Sequence, residues 1–503
     1  MQEFVDTLNS IIWSNALIFL ALGAGLFFSI QTRFLQVRLL REMVRLIFSG
    51  KSSEKGISTF QALSVSLSGR VGTGNIAGVA AAIAFGGPGA VFWMWIVAFF
   101  GASTAYVEST LGQIYKEEDK GQYRGGPAYY IEKAMGAKWY AIFFAIITII
   151  ATGMLLPGVQ ANAIGNAAVE ALGEGSIIET IIGPLNTTTI TVTSVILVIL
   201  GFIIFGGVKR IAKFTQVVVP FMALSYILIA FIIIALNITR LPEIITLIIS
   251  DAFSPMAGMG AAIGWGVKRG VYSNEAGQGT GAHAAAAAEV EHPAQQGIVQ
   301  AFSVYIDTLI VCSATAFMIL MTRSYNVCSD AACKTNLIIQ NISLDKDPNS
   351  PDFTQYALES VIPGVGAPFV AIALFFFAFT TILAYYYIAE TNIAYLRRSL
   401  KVPGMMFILK AVMLISVFYG SVKTASIAWG LGDIGVGLMG WFNIIGILII
   451  YFLAKPSLIA LKDYEEQRKK QTIKYSFDPI SLGIKGADFW EKRYQSNKKE
   501  DLS

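Results

Sequence analysis

Apolar runs of membrane-spanning length, separated by short polar connections, set the pattern of this chain. Stretches such as IIWSNALIFLALGAGLFFSI (11–30), AIFFAIITIIATGMLL (141–156) and NIIGILIIYFLA (443–454) belong to segments able to approach or cross an apolar core about 30 Å thick. Eleven helical spans are predicted, at roughly 11–30, 59–86, 89–115, 138–170, 188–206, 214–236, 256–285, 297–322, 364–396, 403–420 and 424–454. The chain therefore reads as an all-α polytopic membrane protein embedded in a lipid bilayer. Its first run does not read as a secretory leader, because Glu3 and Asp6 precede it with no Lys or Arg, whereas such a leader needs a basic start.

Composition agrees with this class. The 503 residues are 55% hydrophobic and 14% charged, with a mean hydropathy of +0.61. Where the charges fall sets an orientation, since cytoplasmic loops carry the Lys/Arg excess. Arg33, Arg38, Arg41, Arg45, Lys51 and Lys55 follow span 1, and Lys116, Lys120, Arg124, Lys133 and Lys138 follow span 3. Lys209, Arg210 and Lys213 follow span 5, and Arg397, Arg398 and Lys401 follow span 9. The alternate connections are poor in such residues: GGPG at 86–89, 171–187 with none, and 237–255 with Arg240 alone. This places the N-terminus outside and the tail from Lys455 onward in the cytoplasm. The loop 286–296 departs from the pattern, holding only Glu289, Glu291 and His292, and is assigned to the cytoplasm by its neighbours. The net charge of +4 is then a matter of topology and calls for no nucleic-acid partner. Of the three cysteines, Cys312 in span 8 reads as a small buried residue. Cys328 and Cys333 share the predicted external loop 323–363, where a local disulfide can form.

Two segments repeat one pattern, Asn75-Ile76-Ala77-Gly78 within SGRVGTGNIAG and Asn274-Glu275-Ala276-Gly277 within RGVYSNEAGQGTG. Glycine costs a helix interior about 1 kcal/mol relative to alanine, so each cluster predicts an interrupted span. Irregular backbone at membrane depth is tolerated where it lines a cavity. With span 1 set aside, ten spans divide five and five, each half opening on a broken span. Five spans per half invert the second copy and set the two breaks face to face at mid-membrane. The resulting units are 1–57 (extra span and basic loop), 58–252 (first repeat), 253–455 (inverted second repeat) and 456–503 (a solvated cytoplasmic tail).

A broken helix exposes unpaired N–H groups at one new end and unpaired carbonyls at the other. At the first break, Gly72-Thr73-Gly74-Asn75 permits close approach and aims N–H groups at a small carboxylate. At the second, the carbonyls of Tyr272 and Ser273 with the Glu275 carboxylate suit an ammonium group, so that the pair would hold a zwitterion. Small residues also serve plain helix packing. The pairing of the clusters, an Asn in each and an ionisable Glu275 within a span favour a transport site. Arg70 and Asp307 are expected to join a structural ion pair, while Lys268 and Arg269 either snorkel outward or mark a later start for span 7. Thr380 and Thr381 in span 9 either bond their own i−4 carbonyls or offer oxygens to a hard cation such as Na⁺. Tyr385, Tyr386 and Tyr387 either wall a small pocket or pack the core.

SLSGRVGTGNIAGVAAAIAFGGPGAVFWMW (66–95), RGGPAYYIEKAMG (124–136), KRGVYSNEAGQGT (268–280) and AFTTILAYYYIAET (378–391) together resemble the signature segments of the alanine or glycine:cation symporters, sodium-coupled amino-acid transporters of prokaryotes. The resemblance covers nearly the whole chain in order. It implies a LeuT-like five-plus-five inverted repeat with one extra N-terminal span. It also implies that Thr73, Gly74 and Asn75 hold the substrate carboxylate, with Gln160, Tyr272, Ser273, Asn274, Glu275, Thr381 and Tyr385 lining the pocket. For a single Na⁺ it implies the carbonyls of Ser68, Val71 and Phe377 with the hydroxyls of Thr380 and Thr381. Two departures bear on selectivity. Ala384-Tyr385 stands where the family usually has Gly-Trp, and Leu156-Pro157-Gly158-Val159-Gln160 puts a helix-breaking proline where it usually has GNMVQ. The expected function is Na⁺-coupled symport of a small neutral amino acid such as alanine or glycine by alternating access. H⁺ coupling, a larger substrate such as serine or glutamine, and an amino-acid sensor are the alternatives. Two histidines, no HExxH and no GxSxG argue against an enzyme.

Overall fold

A computed structural model describes residues 2–50, 52–180, 183–205, 207–254, 258–329, 337–343, 347–400 and 403–500. Lys51, Cys333 and Lys401 lie outside the described residues. Helices lie within all eleven predicted stretches. The main helices, in chain order, begin with α1 (Gln2–Ile12), α2 (Asn15–Gln31), α3 (Leu40–Ile47), α4 (Thr59–Arg70), α5 (Val79–Gly86) and α6 (Ala90–Ile114). Then come α7 (Lys138–Leu172), α8 (Thr187–Ile204), α9 (Gly207–Leu236), α10 (Leu241–Phe253), α11 (Met259–Asn274) and α12 (Thr280–Ala287). The last are α13 (Pro293–Met321), α14 (Gly366–Arg397), α15 (Met405–Ser421), α16 (Ala425–Ala454), α17 (Pro456–Lys469) and α18 (Asp488–Glu500).

Seven of the described helices are each long and apolar enough to cross a membrane, and α1 with α2, bent by 42°, makes an eighth candidate. Their outer faces carry exposed Val198, Phe202, Phe221, Leu224, Leu228 and Phe231, as contact with acyl chains demands, while their backbone groups bond internally. The chain is a multi-pass membrane protein. Three two-stranded hairpins, at 117–124, 177–186 and 326–340, depart from the all-helical expectation. All three lie in connections between long helices.

The predicted breaks are real and paired. α4 ends at Arg70 and α5 resumes through a wide π-helical turn at Gly74–Gly78, and α11 ends at Asn274 before α12 starts at Thr280. α4 packs against α12 and α5 against α11, so the two broken helices lie side by side and antiparallel. α6 supports both, touching α2, α11, α12 and α13. Pro157 does not break its helix as expected. A π-helical turn at Ala151–Leu155 precedes it, and a widened turn absorbs both the missing N–H and the ring's clash with the preceding carbonyl. α7 therefore runs 35 residues unbroken.

The tail is not the solvated segment predicted. Tyr464, Phe477, Ile484 and Trp490 are buried, and α17 and α18 fold back onto the loop 286–296. Nothing local in the sequence signals this docking. There Asp463 bonds His292 Nε2 at 3.0 Å, and Arg493 pairs with Glu289 at 2.6 Å. The positive charge missing from that loop is thus supplied by the tail. Cys328 is disulfide-bonded.

Burial holds the His292 imidazole below its ordinary pKa, against the opposing pull of Asp463. The neutral ring also caps the next helix, accepting from Ala294 N at 3.1 Å. A depressed folded-state pKa stabilises the fold above the unfolded value and loses that contribution as pH falls through the folded one. Thermal unfolding should show Tm falling as the pH drops through the ordinary histidine pKa of about 6.5 and below it, and His292→Asn, which keeps a capping side chain, should flatten that fall.

Candidate functional site

The first break is organised by side chains rather than by helix bonds. Gly72 N donates to Asn75 Oδ1 at 2.8 Å, and both the amide and the hydroxyl of Thr73 donate to Gln160 Oε1, at 3.1 and 2.8 Å. A Cβ on Gly72 would lie 2.5 Å from Thr381 Oγ1 and 3.0 Å from Gln160 Oε1. Only glycine admits this convergence of α4, α7 and α14.

The second break meets the first directly. A Cβ on Gly74 would touch the Cα of Ser273 and the ring of Tyr272, each at 3.2 Å. Glu275 takes a left-handed backbone conformation at φ 56°, an uncommon and strained choice for a residue with a side chain. Its carboxylate turns toward Thr280, which donates to it at 2.8 Å, and lies beside Tyr385. A small cavity lined by Ser66, Gly69, Glu275, Thr280, Ala384 and Tyr387 adjoins it. Glu275 Oε1 and Ser66 Oγ are buried and make no hydrogen bond of ordinary geometry among the described residues.

Asp307 bridges the two breaks, a role distinct from the ion pair expected of it. Its Oδ1 accepts from Asn75 Nδ2 at 2.6 Å, and its carboxylate oxygens accept from Ser273 Oγ at 3.1 and 2.9 Å. A π-helical turn at Tyr305–Cys312 carries it. Arg70 instead donates to the Gln300 carbonyl at 3.1 Å and to Ser303. It shares a buried region with Glu275, Glu108 and Asp307 but joins no ion pair among the described residues. Cys312 is buried and free, yet it is more than core packing, since Sγ lies 3.3 Å from Asn75 Nδ2 and 3.2 Å from Ser273 Oγ.

Lys268 and Arg269 neither snorkel nor sit outside the helix, because α11 begins at Met259 and both pair inward. Lys268 Nζ lies 2.7 Å and Arg269 Nη1 2.8 Å from opposite oxygens of Asp433 on α16. Arg269 also stacks on Trp429 at 4.3 Å, and the Trp429 ring packs against Tyr272 at 4.8 Å. Asp433 escaped the sequence reading although a lone carboxylate within WGLGDIGVG is the signal such a partner leaves.

Of the predicted cation ligands, Ser68, Phe377 and Thr381 converge. Thr381 Oγ1 lies 2.8 Å from the Ser68 carbonyl and 2.9 Å from that of Phe377. Thr380 shares the Phe377 carbonyl at 3.0 Å but also faces Met222 on α9, and Val71 is buried just past the end of α4. Among the pocket residues, Thr73, Gly74, Asn75, Gln160, Tyr272 and Ser273 gather at the meeting of the breaks, with Thr381 at their edge. Tyr385 is buried on the Glu275 side, and the Asn274 carbonyl oxygen of the side chain is spent on Ala276 N at 2.9 Å.

Lipid-length helices enclosing a polar centre at two antiparallel interrupted helices define a polytopic membrane carrier. The chain belongs to the sodium:alanine symporter family, whose model matches residues 1–478, and such proteins are transporters rather than enzymes. It is 60% identical to the candidate sodium/proton-dependent alanine carrier YrbD of Bacillus subtilis, over 98% of each chain. The sodium/proton-dependent alanine carrier of Bacillus sp. strain PS3 is 49% identical over 90% of this chain and 98% of its own. The candidate sodium/glutamine symporter GlnT of B. subtilis is 38% identical over 97% and 96%.

Gly72→Ala should abolish uptake and also lower Tm, because the added carbon would lie 2.5 Å from the oxygen of a buried, hydrogen-bonded threonine that has little room to move. Asp433→Ala should act on folding. Leaving Lys268 and Arg269 buried without their anion costs about 3–5 kcal/mol, read as a large loss of Tm.

Proposed function

We propose that this chain is a Na⁺-coupled symporter of a small neutral amino acid, alanine or glycine first, working by alternating access in the cell membrane. The observation that carries the reading is the contact of the two breaks at Gly74 and Ser273, with the Thr381 hydroxyl 2.8 Å from the Ser68 carbonyl. In this reading eleven spans form a LeuT-like five-plus-five inverted repeat behind one extra span, with the N-terminus outside and the tail in the cytoplasm. Thr73, Gly74 and Asn75 receive the substrate carboxylate. Tyr272, Ser273, Asn274 and Glu275 face the ammonium side, and Gln160 and Tyr385 close the pocket. One Na⁺ lies between the carbonyls of Ser68, Val71 and Phe377 and the hydroxyls of Thr380 and Thr381. Asp307 joins the two half-sites.

Ion and substrate then share the same broken helix. Na⁺ at Ser68 and Thr381 fixes the end of α4, and the substrate occupies the turn just beyond it, so each must tighten the other by the same factor. A ring of tyrosine at 385 leaves more room than tryptophan, and a methylene of extra space changes binding by only about 1–3 kcal/mol. Serine and glutamine therefore remain competing substrates, and GlnT is a relative named for glutamine. H⁺ coupling is a second reading, favoured by the buried Glu275 oxygen that makes no hydrogen bond of ordinary geometry among the described residues.

Stabilisation of the purified protein by an amino acid only when Na⁺ is present tests class and substrate together. Stabilisation that persists in choline at fixed pH would instead favour H⁺. Thr381→Ala should raise the Na⁺ concentration needed for half-maximal uptake by roughly tenfold, the loss of one oxygen ligand worth about 1.4 kcal/mol. Uptake with unchanged Na⁺ dependence in that variant would remove the assigned ion site. Asp307→Asn should weaken substrate and Na⁺ binding together, as isothermal titration of each ligand would show.

A further inference from the structure

The first broken helix and the second are joined on the tail side by a short seam. Ile57 N donates to the Ala287 carbonyl at 3.0 Å and Glu289 N donates to the Ile57 carbonyl at 2.8 Å. Residues 57 and 289 flank the outer ends of α4 and α12, so any opening of the polar centre toward this face must part them. The seam is weak by itself, being two backbone bonds at the edge of the bundle.

The tail reinforces it from three directions. Lys116, fully buried at 0% exposure, donates to the Ala288 carbonyl at 3.0 Å. A buried ammonium is costly unless compensated, and here the compensation is a cage of three aromatic rings. Tyr123 lies at 4.3 Å, and the tail contributes Phe489 at 4.7 Å and Trp490 at 5.3 Å. Trp490 Nε1 also bonds the Gln113 carbonyl at 2.8 Å, and Gln113 Nε2 holds the Ala288 carbonyl at 3.0 Å. Arg493 pairs with Glu289 at 2.6 Å, and Tyr475 N donates to Glu291 at 3.0 Å. Every one of these contacts falls on the strand of chain between α12 and α13, or on the side chains that grip it.

We propose that residues 456–500 form an intramolecular latch, in which α18 completes the cage around Lys116 and clamps residue 289, holding the tail-side end of the transport path shut and slowing release there. Detachment of α18 exposes Lys116 to water and removes the Trp490 and Arg493 contacts, leaving the seam to its two backbone bonds and to the bonds that Gln113 and Tyr123 make to Ala288 and Glu289, at 3.0 and 2.9 Å. This role presupposes alternating access through the paired breaks, but the clamp on the seam can be measured without transport.

The test uses the full chain in proteoliposomes beside three variants: a chain ending at residue 487, Arg493→Glu, and Arg493→Glu combined with Glu289→Arg. Backbone hydrogen exchange at Ile57 and Glu289 should accelerate in the first two and return toward the wild-type rate in the third, whose swapped charges restore the pair. Initial Na⁺-driven uptake at saturating substrate should rise about two- to fivefold in the first two, the factor that an ion pair of this partial exposure supplies. Unchanged exchange at the seam in the truncated chain overturns the latch. Faster exchange with unchanged or lower uptake also overturns it, since the tail would then be a structural brace. Absence of Na⁺-driven uptake in the wild type would overturn the symport reading instead, leaving the exchange results to decide whether the tail clamps the seam.

Discussion

Backbone polar groups released inside a membrane have no solvent to turn to, and this constraint organises the centre of the molecule. Interrupting two helices frees N–H and C=O groups that the lipid cannot satisfy. The chain meets the demand with side chains brought from elsewhere. Asn75 closes the turn on Gly72, Gln160 of α7 takes the Thr73 amide, and Thr381 of α14 reaches the Ser68 carbonyl. Asn75 belongs to the break itself while Gln160 and Thr381 come from two other helices, so the break holds its shape only if α7 and α14 are correctly docked. A site made this way is pre-organised by the whole bundle. In the proposed reading it is also poised, because the cation and the substrate carboxylate would replace these neutral partners.

Buried charge is distributed to match. On one side of the breaks Lys268 and Arg269 share Asp433, and Arg269 lies flat on Trp429 beside Tyr272. On the other, Arg70 sits among Glu275, Glu108 and Asp307 without touching any of them as an ion pair. The first group ties two cations to one carboxylate by direct ion pairs, and its geometry suits a rigid strut. The second is open, with Glu108 Oε1, Glu275 Oε1 and two guanidinium nitrogens making no hydrogen bond of ordinary geometry among the described residues. Unsatisfied groups at this depth are expensive, and their concentration around one polar centre marks where a ligand or a change of conformation has something to gain.

The sequence makes some of this visible and conceals the rest for physical reasons. Lipid forces continuous apolar runs, so the helices could be read directly, and glycine in such runs is costly enough to betray both breaks. The pairing of Gly72, Thr73 and Asn75 with Gln160 and Thr381 joins residues far apart in the chain, and only the family resemblance anticipated it. Asp307 was visible as an intramembrane charge, yet its partners were not, because Asn75 and Ser273 are neutral and charge pairing points toward Arg70. The tail was misread for a related reason. Its polar composition describes a solvated segment, while its docking depends on Phe477 and Trp490, two aromatic residues whose partners, His292 and the Gln113 carbonyl, lie far away along the chain. Pro157 was expected to break α7 because the cost of a proline is local, whereas the turn that absorbs it is formed by the preceding five residues.

That turn belongs to a pattern. Wide π-helical turns occur at 74–78, 151–155 and 305–312, one each in the helices that present Asn75, Gln160 and Asp307. An extra residue in a turn rotates the helical segment after it relative to the segment before it, and it weakens the local backbone bonds. The first effect aims the side chains, since Asn75 lies within its turn, Asp307 within its own, and Gln160 just beyond the third. The second leaves each of these helices with a segment whose register is less firmly held than its flanks. The places that orient the polar centre are therefore the places where its helices can most cheaply bend, so the same irregularity that builds the site also supplies the joints by which it could open.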